Sequence, residues 1–88
     1  MQYYISMSKA NKLLEQMRNN PRDWRIDDVK TVAEHFLVDW RSTGGSHHVF
    51  GIAGITEKVC VPAHRPIKPA YIRQFVLLID KVKELNHE

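Results

Sequence analysis

The chain has a single cysteine, Cys60, so no internal disulfide can form, and this usage fits a reducing compartment. Read on its own, Cys60 is a small apolar strand residue rather than a nucleophile. No apolar run approaches the roughly 18 residues that a membrane span needs. The start, "MQYYISMSK", lacks a basic segment followed by an apolar one. The expectation is therefore no secretion signal and a cytoplasmic protein. No linker rich in proline, glycine or serine divides the chain, and there are no internal repeats. Its 88 residues suit one domain. A chain of this size buries only about 60% of its unfolded surface, so any active site belongs on an open face rather than in a deep cavity.

Negative charge is also scarce in one region. Between Arg41 and Arg73 five basic residues stand against Glu57 alone, whereas the remainder carries eight basic and nine acidic groups. His47, His48 and His64 fall in the same basic segment. A local positive field suits a polyanion such as RNA, or an acidic protein partner; an ordinary solvated basic surface is the plainer alternative.

Periodicity supplies the elements. Ser8 can cap a helix in which Ala10, Leu13, Leu14 and Met17 form one stripe, ended by Asn20-Pro21. Asp27 or Asp28 caps a second helix with Val29, Val32, Ala33 and Phe36 on its buried side, and His35 off that stripe. Trp24 and Ile26 pin the connector between the two helices. "LVDWRS" reads as a strand with Val38 and Trp40 on one side and Asp39 and Arg41 on the other. "TGG" is a turn, "SHHVFGI" a second strand, and "EKVCVPA" a third with Val59, Val61 and Ala63 facing one way. "HRPIKP" is a stiff basic connector. Pro69 opens a final helix to about Asn86, buried along Ile72, Phe75, Val76, Ile79, Val82 and Leu85. The expected class is α+β: a three-stranded antiparallel sheet with helices on one face, in the order α-α-β-β-β-α. Leu77 and Leu78 fall off the last helix's stripe and either cover a sheet edge or form a partner-binding patch.

The histidine pair raises the functional question. Alternation puts His48 with Phe50 and Ile52 toward the helices, and His47 with Val49 on the open face. No Cys, Asp or Glu stands nearby at a metal-ligand spacing, so neither a metal nor a cofactor is expected. An imidazole titrates near neutral pH and can move a proton to and from a ribose 2′-hydroxyl. By itself, an isolated strand histidine is more often structural than catalytic.

"GGSHHVF", followed about ten residues later by "VCVPAHRPIKPAYIRQFVLLI", resembles the HicA family, the ribonuclease toxins of HicA–HicB toxin–antitoxin pairs. The resemblance covers roughly Asp28 to Leu85. It rests on a combination: Gly-Ser-His entering a strand, Val-Pro-x-His closing the next, and Ile-Lys-Pro opening the last helix. It implies a fold similar to a double-stranded-RNA-binding domain, an mRNA interferase activity, and inhibition by a HicB-like antitoxin. The family's catalytic histidine maps onto His47, within Gly45-Ser46-His47. His48 and His64 are secondary candidates; the acid that protonates the leaving oxygen is either His64 or His47 acting twice. Gly45, Ser46, Lys58, Arg65, Lys68 and Arg73 are candidate RNA contacts. Residues 1–26, with one extra helix, form an N-terminal extension relative to the family's short form; residues 27–88 form the HicA-like core. Two other readings remain open: a non-catalytic RNA-binding module of the same fold, and a protein-interaction domain using Leu77, Leu78 and the basic segment.

Overall fold

The computed structural model describes residues 8–86. The segment read for a secretion signal lies largely outside them. Three helices and three strands follow in the order α1 (Lys9–Asn19), α2 (Ile26–His35), β1 (Asp39–Ser42), β2 (His47–Ile52), β3 (Ile55–Pro62) and α3 (Pro69–Leu85). This is the α+β order that the periodicity predicts. The sheet is antiparallel with strand order β1-β2-β3. No described helix is long and apolar enough to cross a membrane.

Ser8 caps α1, its Oγ accepting from Asn11 N–H at 3.1 Å. Ala10, Leu14 and Met17 are buried, so α1 contributes to the same hydrophobic core as the sheet and α3. The connector is pinned by Trp24, whose indole N–H donates to the Asn20 carbonyl at 2.7 Å. Arg25, rather than Asp27 or Asp28, occupies the N-cap of α2. Both aspartates lie in the first helical turn, where Asp28 Oδ2 accepts from the Arg25 N–H at 3.2 Å. Negative charge there complements the positive end of the helix.

β1 is shorter than its apolar pattern suggests. Leu37 has φ of 63° and is 78% exposed, so it belongs to the turn that leaves α2. Val38 is buried, and Trp40 packs against the core. In the two hairpins, Gly44 and Gly54 take φ of 92° and 95°, which a side chain would disfavour. In the basic connector, Ile67 is the buried anchor at 2% exposure, a role that its charged neighbours obscure in the sequence.

α3 lies on the sheet's helix side and runs back along β3. Its C-terminal end meets the β2–β3 turn, where a Cβ on Gly54 would stand 3.2 Å from Leu85 Cδ2. One expectation for this helix is corrected and one open alternative is decided. Leu85 is 54% exposed rather than buried, since it sits at the helix end beyond the sheet-covered turns. Leu78 is buried at 2% exposure, which removes it from any partner-binding patch, whereas Leu77 is 60% exposed. At about 100° per residue, Leu78 lies some 40° beyond Val82, on the flank where Lys81 pairs with Glu57 of β3 at 3.4 Å. The opposite flank carries Asp80 to Arg18 of α1. A helix packed on both flanks buries a wider arc than one stripe.

Candidate functional site

The register fixes what lies on the open face. Arg41 pairs with Val49 and Val49 with Cys60, giving a row across all three strands. On the turn side of that row, His47 pairs with Pro62 of β3, and its carbonyl accepts from Thr43 N–H at 3.2 Å. On the other side Asp39 pairs with Gly51. Lys58 lies across Gly51: a Cβ there would stand 3.2 Å from Lys58 Cγ. His47, Arg41, Asp39, Lys58 and Cys60 are all exposed. His47 and Arg41 are diagonal neighbours on one face, a relation that brings Cβ atoms within roughly 7–8 Å.

His48 points the other way, as alternation requires. It is 8% exposed, with its ring 5.7 Å from that of Trp40. Trp40 is held in turn by α2, its indole N–H donating to Glu34 Oε2 at 3.2 Å and Lys30 Nζ lying 4.3 Å over its ring. His48 Nδ1 lies 3.3 Å from the Ser46 carbonyl. A carbonyl only accepts, so His48 donates through Nδ1–H, and neutral His48 keeps its free lone pair on Nε2. A substrate on the open face does not meet this ring.

Ser46 joins the remaining pieces. Its carbonyl also accepts from Ala63 N–H at 2.6 Å, and its hydroxyl lies 3.1 Å from His64 Nε2. His64 is thereby held at the strand end beside His47's row, on Ser46 rather than on His47 itself. Among the described residues, no hydrogen bond engages the His47 ring.

The candidate cations lie on β3, the connector after it and α3. Lys58 belongs to the open face. Arg65 and Lys68 lie on the connector that leaves the sheet at the His47 end, and Arg73 lies one turn into α3. Gly45 is exposed in the β1–β2 turn. Arg41, absent from the candidate contacts, is a further cation on the open face and the one diagonal to His47. The alternation of "DWRS" already placed it outward; what was missing was the register across β2. Among the described residues no three His, Cys, Asp or Glu side chains converge as a metal site.

No protein-family model, curated protein or solved structure matches the chain.

Proposed function

We propose that this chain is an endoribonuclease, the toxin half of a HicA–HicB-like pair, acting on mRNA in the cytoplasm. The finer fold description is that of a double-stranded-RNA-binding domain, with α2, the sheet and α3 as its core. One observation carries the reading: the histidine that maps onto the family's Gly-Ser-His element is exposed on the sheet face that the described helices leave open, diagonal to Arg41, while its neighbour His48 is buried and bonded to Ser46.

In this mechanism His47 takes the proton from a ribose 2′-hydroxyl as that oxygen attacks the adjacent phosphorus. The bond from phosphorus to the 5′-oxygen breaks, leaving a 2′,3′-cyclic phosphate. The departing oxygen gains a proton from His64, or from the imidazolium that His47 has become, and leaves as a 5′-hydroxyl. Arg41, diagonal to His47, offsets the charge that develops on the phosphoryl oxygens. A 2′-deoxy sugar at the cleaved position removes the nucleophile and should block the reaction. A HicB-like antitoxin would inhibit by covering His47; Leu77, exposed on the side of α3 away from the sheet, would be a separate contact.

The second reading, a non-catalytic RNA-binding module, draws on the same exposed cations and on the ability of such a fold to grip RNA by shape and 2′-hydroxyl contacts. Incubation of a labelled mRNA in EDTA with the wild type and with folded His47→Ala separates the two. The nuclease predicts cutting by the wild type alone. Binding without cutting by both proteins selects the module, and equal cutting by both moves the chemistry away from His47.

A further inference from the structure

The open face holds a second feature beyond the cleavage site. At the end of β2 away from His47, a shallow trough runs over Val49 and Gly51, with Arg41 and Asp39 on the β1 side and Lys58 on the β3 side. The stem of Lys58 lies over Gly51, in the space that a side chain there would take, and forms one wall. Gly51 lies four residues along the strand from His47, about 13 Å at 3.3 Å per residue. A nucleotide seated there is a neighbour of the one being cut.

Among the described residues, the ion pairs are Arg18 with Glu15 and Asp80, and Lys81 with Glu57. Arg41, Lys58 and Asp39 are therefore uncommitted. The two cations suit a phosphate. Asp39 is the unusual member, since a carboxylate in a basic trough repels the RNA backbone and at pH 7 can only accept hydrogen bonds. It matches a donor on a base edge: the exocyclic amine of cytosine or adenine. Uracil presents an oxygen at that position, and its ring N–H lies between two carbonyl oxygens that a carboxylate opposes.

We propose that this trough is a base-reading subsite for single-stranded RNA, in which Asp39 accepts from the exocyclic amine of a cytosine or adenine flanking the cleaved bond. The subsite deepens the ribonuclease reading and rests on it for its role in cleavage, but its base preference is a binding property. Lys58, its stem laid across Gly51, holds the phosphate, and Arg41 lies between this subsite and His47.

The test uses the full chain carrying His47→Ala, so that substrate survives, and fluorescein-labelled tetranucleotides of cytidine and of uridine. Anisotropy titration should show cytidine binding tighter by roughly tenfold, the scale of one charge-assisted hydrogen bond. Adding Asp39→Asn should erase that ratio, because an amide donates to uracil as readily as it accepts from cytosine. Asp39 is exposed, and circular dichroism checks that the variant is folded. Equal binding of the two oligonucleotides, or a cytidine preference that survives Asp39→Asn, overturns the subsite. Failure of the ribonuclease reading would show separately, as wild-type protein that leaves mRNA intact.

Discussion

Arg18 of α1 and Asp80 of α3 meet through two parallel hydrogen bonds, 2.9 and 2.8 Å long, across 62 positions of sequence. This fork-to-fork contact ties the N-terminal helix to the last one, beside the buried Leu14 and Met17. The Arg18 hydrogen bonds are the largest influence holding the Asp80 carboxyl below its ordinary value.

The first prediction follows from that contact. Both side chains are more than a third exposed, at 39% and 35%, so solvent screens the pair. Asp80→Asn should cost about 0.5–1 kcal/mol at pH 7 by denaturant unfolding. Because the native carboxyl titrates below the unfolded one, the stabilisation is complete above the ordinary carboxylate pKa of about 4 and declines as pH falls through the native value. The gap between wild type and variant should be constant from pH 7 to 5 and shrink below 4. A gap that widened in acid would contradict the assignment.

Substitution of the two neighbouring histidines should divide activity from stability. His47→Ala is expected to lose nearly all cutting of mRNA with little change in Tm. His48→Ala removes a buried ring packed near Trp40 and should destabilise by about 1–3 kcal/mol, while still cutting at temperatures well below its Tm. Kinetics and thermal melts on the same two proteins check both halves.

Cys60, the chain's single cysteine, is exposed in the row that contains Arg41 and Val49. RNA bound across the open face should therefore slow alkylation of Cys60 by a maleimide, read by mass spectrometry. Unchanged labelling at saturating RNA would place the ligand on another surface.

The salt dependence of binding should identify the cations that contact phosphate. Arg41→Ala and Lys58→Ala should each lower the slope of log K against log salt by about 0.7, the value for one phosphate of a single strand. Arg73→Ala tests how far the RNA path extends past the sheet: an equal drop means that the strand continues over the start of α3, and an unchanged slope confines it to the open face.

Much of this architecture was legible because each element carries its own period. The apolar spacing of α1 and α2, the alternation that sends His47 and His48 to opposite faces, and the prolines that bracket the connector are local signals. What escaped depends on contacts between elements. Leu78 is buried because α3 is covered on two flanks, which its own spacing does not reveal. Ile67 is an anchor only because the chain around it crosses the core. Arg41 joins the candidate site only once β1 is registered against β2. Leu37 looks like strand by composition and is expelled by the turn that ends α2.

The placement of the three described helices on one side of the sheet has a final consequence. Thr43, Val49 and Cys60 lie in the rows around His47 without supporting the core, since Phe50, Val59 and Val61 on the opposite side do that. Substitutions among these outward side chains therefore touch cross-strand pairing but not the core beneath. Over evolutionary time, or in the hands of an engineer, the face can be rewritten for a new RNA sequence or a new inhibitor while the scaffold beneath it stays the same.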